Sequence, residues 1–202
     1  MRKLNLKYDQ MLQGDFKAGA LNFLFSFQVN CPGCFLYGMP VFNSLYKEYG
    51  DRINFLGLST AFEDFELNNK ENTVKLLSDK TIVGETYKAL AERGYDHYPQ
   101  DIEFSVAMDD IVDQNDIDAD MIEQICLLNP NFTTWPEYDK DLLRKKVTDY
   151  LMKIPSVFYT FTTNQFRGTP TFVLFNEQYE IYDAWFGHRA PEEIKKTLTK
   201  WL

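Results

Sequence analysis

Two stretches of the chain, 21–29 and 53–59, are almost continuously apolar and rich in residues that favour β-strands. Each is too short to cross a membrane, so each predicts a strand of a parallel sheet that is buried on both faces. Between them, Phe42, Leu45 and Tyr49 recur at helical spacing. The pattern therefore predicts a strand, a helix and a second strand near the N-terminus.

Other patterns along the chain predict further strands and helices around this unit. Residues 10–20 are the exception, because their glycines and mixed polarity predict a loop. The other predicted strands lie at 4–8, 102–108, 172–175 and 180–186, with one or two helices in 71–93 and a closing helix at the C-terminus. Together these elements predict an α/β protein with a central mixed sheet flanked by helices.

Two cysteines stand where the first predicted strand gives way to the helix. Asn30 is followed by Cys31, Pro32, Gly33 and Cys34, which form a C-x-x-C motif. Backbone N–H groups at a helix N-terminus lack intrahelical partners and, with the helix dipole, favour a thiolate. We therefore expect Cys31 to be the exposed nucleophile and Cys34 to be the buried resolving thiol. Pro32 suits the first helical position, where no N–H is needed.

The same spacing also occurs as half of a zinc site. A structural zinc site needs four ligands. Beyond the motif only Cys126, His97 and His188 remain as soft ligands, and there is no second closely spaced pair. The sequence thus predicts no metal site and no cofactor other than a redox-active Cys31–Cys34 disulfide. Cys126 is interpreted as a small core residue.

A second motif lies far downstream, directly before the predicted strand 172–175. Gly168, Thr169 and Pro170 form either an ordinary turn or a specialised loop. With the C-P-G-C motif, the strand pair and the closing helix in this order, the chain resembles the thioredoxin-like superfamily. The TlpA-like or redoxin branch is indicated by a glycine and a proline within the helix and by the segment 60–63.

This resemblance implies that Pro170 follows a cis peptide bond and lies beside the cysteines. It also implies that Thr169 offers backbone hydrogen bonds to a bound substrate strand and that Gly187 lines the substrate groove. The chain departs from the family pattern at three positions. The usual tryptophan before the first cysteine is Asn30, and the usual buried acid six residues before it is Phe25. Pro40 lies nine residues past the first cysteine instead of eight, so we expect this helix to bend differently.

Relative to a minimal thioredoxin-like fold, the segment 109–165 is predicted to be a mostly helical insertion. Residues 109–123 carry seven acids and no base. Alternating aspartates at 116–120 resemble a calcium loop, but the required glycine and glutamate are missing, so a solvated acidic turn is favoured. Helices are predicted to follow from Met121 and from Pro136. We expect this segment to act as a lid or platform that selects a partner.

Three further residues near the predicted site have two interpretations each. Glu63 follows the second strand at its carboxyl end, so it is a candidate proton relay to Cys34 or a surface carboxylate. His188 neighbours Gly187 and is either a groove residue or a solvated loop residue. Asn30 either contacts the substrate or forms the turn before the nucleophile.

Charge and length restrict the partners and the location. The net charge of −9 and the pI near 4.8 argue against nucleic acids and anionic membranes as partners. No stretch is long enough for a membrane span, and residues 2–9 do not form the apolar core of an export signal. A cytoplasmic location is expected if Met1 is the native start, and export if a leader has been removed.

The function implied by the motif and the resemblance is thiol–disulfide exchange. The expected partners are a disulfide-containing protein or a low-molecular-weight thiol as substrate, and a thiol or a reductase as electron donor. One alternative is a thiol peroxidase, although neither Cys31 nor Cys34 has the P-x-x-x-T/S-x-x-C pattern of peroxiredoxins. Another is a partner-binding module of the same fold in which the dithiol is incidental.

Overall fold

The computed structural model describes residues 2–202 and contains eight strands. The strands are β1 Tyr8–Gln13, β2 Asn22–Phe27, β3 Asn54–Ser59, β4 Ser105–Asp109, β5 Ile111–Asp113, β6 Ser156–Phe158, β7 Thr171–Phe175 and β8 Ile181–Phe186. Six of them form one sheet in the order β1-β4-β3-β2-β7-β8. The central strands β2, β3 and β4 are parallel, whereas β1, β7 and β8 pair antiparallel with their neighbours. This arrangement confirms the predicted central mixed sheet.

Helices flank this sheet. They are α1 Met39–Tyr49, α2 Lys70–Asp79, α3 Gly84–Ala91, α4 Ala119–Cys126, α5 Glu137–Leu151, α6 Tyr159–Thr163 and α7 Pro191–Trp201. A π-helical segment, Cys34–Gly38, directly precedes α1. The parallel strands β2, β3 and β4 all end at the same edge of the sheet, so the residues that follow them meet there.

The strand β2 is apolar almost throughout because both faces of the sheet are covered. Phe23, Phe25 and Phe27 point to one face, where they pack in a cluster with residues of α1 and α7. Leu24 points to the other face, which is covered in part by the N-terminal segment through Leu4. All six residues of β2 are buried, which confirms the predicted central strand.

The first strand lies later in the chain than the pattern predicted. The prediction of a strand at 4–8 was wrong, because β1 spans Tyr8–Gln13 and pairs with β4. The loop predicted at 10–20 is correct only from Gly14 onward. The register of this pair shifts twice, between Tyr8 and Gln10 and between Met11 and Gln13. Such irregularities break the alternation of inward and outward side chains, so a search for period two misses the strand.

The segment 109–165 is mostly helical but also contains a small sheet. Strands β5 and β6 pair antiparallel over three residues each, too few to give a recognisable sequence pattern. The acidic run contributes a helix cap, because the Asp118 side chain accepts a hydrogen bond from the amide of Met121 at the start of α4. Pro136 directly precedes α5, in agreement with the predicted start of that helix.

One fully buried carboxyl ties this segment to the main sheet. Asp109, at the end of β4, accepts hydrogen bonds from the hydroxyl of Thr60 at 2.8 Å and from the amides of Thr160 and Phe161 at 2.8 and 3.1 Å. These two amides belong to the first turn of α6, so Asp109 caps that helix from another element. Burial raises the pKa of Asp109 to about 7, even though these hydrogen bonds favour the charged form.

The raised pKa of Asp109 predicts a specific pH dependence of folding. Its contribution to stability is full below the ordinary carboxyl pKa of about 4 and is lost as the pH rises through about 7. The Asp109→Asn variant removes this dependence and places an NH₂ group against a donor, which costs roughly 1–3 kcal/mol. In urea unfolding, we expect the difference in free energy of unfolding between wild type and variant to be larger at pH 5 than at pH 8.

The exposed residue Asp113 provides the control, since an Asp113→Asn change should alter stability by no more than about 0.5 kcal/mol. A difference for Asp109→Asn that is constant with pH, or larger at pH 8, would contradict the prediction.

Candidate active site

The cysteine pair lies just beyond the end of the central strand. The chain leaves β2 at Phe27, reaches Cys31 through a short loop and enters a helical turn at Pro32. Cys31 and Cys34 are joined by a disulfide, with Cα atoms 5.3 Å apart. Cys31 keeps 9% of its surface accessible and Cys34 keeps none. The more accessible sulfur is therefore the one expected to be the nucleophile.

Backbone groups of the first helical turn surround the sulfur of Cys31. The amide of Cys34 lies 3.2 Å from Cys31 Sγ, and the carbonyl oxygen of Cys31 accepts the amides of Cys34 and Phe35. Within residues 2–202, the only other polar contact of this sulfur is the carbonyl oxygen of Thr169, at 3.6 Å. After reduction, the Cys34 amide can thus donate to a Cys31 thiolate without the help of a charged side chain.

The helix after the dithiol carries one extra residue in its first turns. The amide of Met39 bonds to the carbonyl of Cys34, which is the five-residue spacing of a π-helix. A π segment holds one residue more than an α-helical turn, so Pro40 lies one residue further from Cys31 than in a helix without it. The expected difference in this helix is therefore a π segment.

The loop before β7 packs directly on this helix. The Thr169–Pro170 peptide bond is cis, as the resemblance implies. A Cβ built on Gly33 would lie 3.7 Å from Cδ of Pro170, and one built on Gly38 would lie 3.2 Å from its Cβ. The amide of Gly187 donates to the carbonyl of Pro170 at 2.8 Å, so these loops and the dithiol are brought together.

Thr169 presents unused backbone groups next to Cys31. In the part of the chain that the structure describes, its amide has no hydrogen-bond acceptor, and the neighbour of its carbonyl oxygen is Cys31 Sγ. The residue is only partly buried. An extended peptide lying beside Cys31 can therefore pair with Thr169 in the manner of an added strand.

Gln28 is a site residue that the sequence analysis missed. Its side chain is 1% exposed and links two loops, because its amide nitrogen donates to the carbonyl of Glu63 and its oxygen accepts from the hydroxyl of Thr169 at 3.0 Å. The available signal was a glutamine near the end of a mostly apolar run. A buried polar side chain of this kind is expected to have fixed partners.

Asn30 is held entirely by contacts within the chain. Its backbone amide donates to Asn68 at 2.8 Å, its side-chain nitrogen donates to Asp64 at 2.8 Å, and its side-chain oxygen accepts the amide of Glu85 at 2.6 Å. These bonds attach the loop before Cys31 to the loop after β3 and to the first turn of α3. The geometry supports the interpretation that Asn30 shapes the turn.

Glu63 contacts the site through its backbone. Its carbonyl accepts from Gln28 and Asn68, whereas its side chain is exposed. No hydrogen bond joins the Glu63 carboxylate to Cys34 in the described part of the chain, and its proton-relay role stays a prediction. Phe25, in place of the family's buried acid, packs its ring 5.0 Å from Phe172 and 5.3 Å from Phe27.

His188 is anchored on the π segment, although it is exposed. Its ring stacks on Tyr37 with centroids 3.8 Å apart. The Tyr37 hydroxyl donates to the carbonyl of Arg189 and accepts its amide, and burial raises the pKa of this hydroxyl. The guanidinium of Arg189 lies 3.9 Å from the ring centroid of Trp185. His188 thus belongs to a wall next to the dithiol helix, not to a freely solvated loop.

The structure gives two further findings for residues 2–202. It shows no group of three or more His, Cys, Asp or Glu side chains arranged to hold a metal ion. It also shows no helix that is both long and apolar enough to span a membrane. The third cysteine, Cys126, is buried at the end of α4, where burial raises the pKa of its thiol.

Comparison with known proteins found similarity in structure. No protein-family model and no curated protein matches the sequence. A thiol-disulfide isomerase from Corynebacterium glutamicum is similar over 99% of this chain and 95% of its own, with a TM-score of 0.59 and 17% identity. A thioredoxin-like superfamily protein is similar over 100% of this chain and 96% of its own, with a TM-score of 0.56 and 18% identity.

A thioredoxin-like protein in its oxidized form is also similar, over 99% of this chain and 94% of its own, with a TM-score of 0.52 and 10% identity. At these identities the similarity establishes the fold. The chain has the thioredoxin-like fold, which confirms the predicted fold class, and it carries a bonded Cys31–Cys34 pair. Assignment to the TlpA-like branch stays a prediction.

A methyl group added at each of the two glycines of the dithiol helix, Gly33 and Gly38, is predicted to change the free energy of unfolding differently. A Cβ on Gly38 would lie 2.8 Å from the Phe25 ring, so Gly38→Ala should lower the free energy of unfolding by about 1–3 kcal/mol. A Cβ on Gly33 would meet nothing closer than 3.7 Å, so Gly33→Ala should be neutral or stabilising by up to about 1 kcal/mol. Urea unfolding of both oxidised variants measures this, and equal effects would show that the helix is not packed as described.

Proposed function

We propose that this protein is a thiol–disulfide oxidoreductase that exchanges its Cys31–Cys34 dithiol with disulfides of proteins or small thiols. The observation that carries the proposal is the position of the disulfide. It lies at the start of a helix, with the more accessible sulfur facing the cis Thr169–Pro170 loop. A sulfur placed in this way can be reached by a partner, while its bonded neighbour stays protected.

In the reducing direction, the Cys31 thiolate attacks one sulfur of a substrate disulfide. The substrate S–S bond breaks, the other substrate sulfur leaves as a thiolate and takes up a proton, and a mixed disulfide with Cys31 remains. Cys34 then gives up its proton and attacks the sulfur of Cys31. The Cys31–Cys34 bond forms, the second substrate thiol is released, and two electrons have passed from the dithiol to the substrate.

A thiol or a reductase must supply two electrons to begin the next cycle, because the disulfide is the end product of this direction. The same steps in reverse oxidise a dithiol substrate. A reducing thiol pool favours the reductase direction, and an oxidising compartment favours oxidation or isomerisation. The location of the protein therefore decides the direction of its reaction.

We further propose that the chain is one domain with the segment 109–165 as an insertion before the cis-proline loop. This segment has its own apolar cluster, built on Val112, Met121, Leu151 and Val157. Its small sheet β5–β6 is separate from the six-stranded sheet. These features support a unit added to the fold between β4 and β7.

A trap variant tests the exchange reaction. Cys34→Ser should accumulate a mixed disulfide between Cys31 and a disulfide protein such as insulin, because the resolving thiol is gone. Cys31→Ser should form none, since Cys34 is fully buried. Both variants should lose at least about 100-fold in insulin reduction relative to wild type. Non-reducing gels and mass spectrometry measure the adduct, and turbidity measures the reduction.

The double variant Cys31→Ser/Cys34→Ser reveals any adduct formed through Cys126. Hydrogen peroxide consumption by the wild type separates the peroxidase alternative and should stay at background. The proposal fails if Cys34→Ser forms no adduct, or if the wild type consumes peroxide but leaves insulin disulfides intact.

A further inference from the structure

An aromatic groove opens beside the cis-proline loop. One side is the loop after β3, which contributes Phe62 and Phe65, and the other side is the chain from 150 to 166. Rings from the two sides stack on each other along its lining. The centroids are 4.7 Å apart for Phe62 and Phe161 and 6.2 Å apart for Phe65 and Phe158. Phe62 is nevertheless 38% exposed and Phe65 45% exposed. We call the surface lined by these residues the aromatic groove.

The groove is joined to the dithiol site by hydrogen bonds of the buried residue Gln28. Gln28 connects the carbonyl of Glu63, next to Phe62, with the hydroxyl of Thr169. Gln165 and Phe166, which line the other side, precede Thr169 by only a few residues. The same two segments therefore form both the groove and one side of the approach to Cys31.

The volume of the groove suits a side chain of a larger partner. It is about 220 Å³, below the roughly 300–1,000 Å³ of pockets that enclose small-molecule ligands. Half of its lining residues are aromatic, so a bulky apolar side chain is a suitable occupant.

Acidic side chains neighbour Phe62 and Phe65 in the loop after β3. Glu63, Asp64 and Glu66 are all exposed, and within residues 2–202 none of them forms an ion pair. Asp64 accepts only the side chain of Asn30, which is neutral. Three acidic side chains without an ion-pair partner in this loop favour a partner that carries positive charge there.

We propose that the aromatic groove selects the protein substrate. The occupant is an extended segment of a disulfide-containing protein that places a bulky apolar side chain in the groove and a lysine or arginine against Glu63 and Glu66. This inference rests on the proposed exchange reaction, since the segment is held while its cysteine is bonded to Cys31. It assigns to the segment 109–165 the role of supplying one wall, through Phe158 and Phe161.

The test uses short peptides that each contain one cysteine, bonded as a mixed disulfide to 2-nitro-5-thiobenzoate. The reduced protein attacks the peptide sulfur, and release of the chromophore gives the rate of the first exchange step. Peptides differ by Phe or Ser at two to five residues on either side of the cysteine, and by Lys or Glu at the neighbouring positions. We expect the best Phe peptide to react about tenfold faster than its Ser counterpart, equivalent to about 1.4 kcal/mol.

Replacing Lys by Glu in that peptide should slow the reaction about threefold, and the effect should shrink at high salt because exposed charges are screened. In Phe65→Ser and in Phe62→Ser, the rate ratio of the Phe to the Ser peptide should fall close to one. Glu66→Lys should weaken the charge preference, since Glu63 and Asp64 remain. Tyr138→Ser, an exposed aromatic on α5 outside the groove, should keep both ratios.

Circular dichroism of each variant shows whether it folds, and one folded groove variant is enough for the comparison. Reaction of the wild type with the small disulfide of Ellman's reagent separates the two proposals. If this reaction proceeds but all peptides react equally, the groove inference is wrong and the exchange function stands. If the peptide preference persists in both phenylalanine variants, selection occurs elsewhere and the inference is again wrong. If no disulfide reacts, both proposals are wrong.

Discussion

The arrangement of the site depends on how closely the dithiol helix packs against the end of β2 and the cis-proline loop. At Gly38 there is no room for a methyl group between the helix, the Phe25 ring and Pro170. This contact fixes the distance between the helix and the sheet, and therefore the position of both sulfurs. Because interiors are close-packed, a helix held in this way has little freedom to move its first turn. Phe25 and Pro170 make this contact wholly apolar.

Buried polar side chains then determine what surrounds the sulfurs. Gln28 and Asn30 flank Val29 just before Cys31, and both are bonded to the loop after β3. Gln28 also binds the cis-proline loop, and Asn30 also binds the first turn of α3. Unpaired polar groups are costly in an interior, so these bonds specify which loops approach the dithiol. The apolar contact at Gly38 fixes the distance between the dithiol helix and the sheet. The hydrogen bonds of Gln28 and Asn30 determine which loops surround the sulfurs.

The pattern of apolar positions was sufficient to predict the central strands and the dithiol helix, because long buried runs leave few alternatives. The cis peptide bond before Pro170 followed only from the resemblance to the thioredoxin-like superfamily, since the residues alone also allowed an ordinary turn. The apolar pattern was not sufficient for β1, whose irregular register hides the alternation. Nor did it predict β5 and β6, whose pairing depends on partners 45 residues apart in the chain, such as Val112 and Val157. The hydrogen bonds of Gln28 and the aromatic groove could not be predicted from the sequence either, because both form only when loops distant in the chain come together. Local patterns carry information about elements, but not about the contacts between loops.

The aromatic groove and the buried carboxyl of Asp109 are connected through Phe161. The amide of Phe161 donates to Asp109 at 3.1 Å, while its ring stacks on Phe62 across the groove. The position of this wall therefore depends on the hydrogen bonds that cap α6, not on the disulfide. A change that loosened α6 would move Phe161 away from Phe62 and alter the groove, yet it would leave the packing at Gly38 in place. In physical terms, the selection of a partner and the chemistry of the sulfurs rest on different contacts, so each can change without the other.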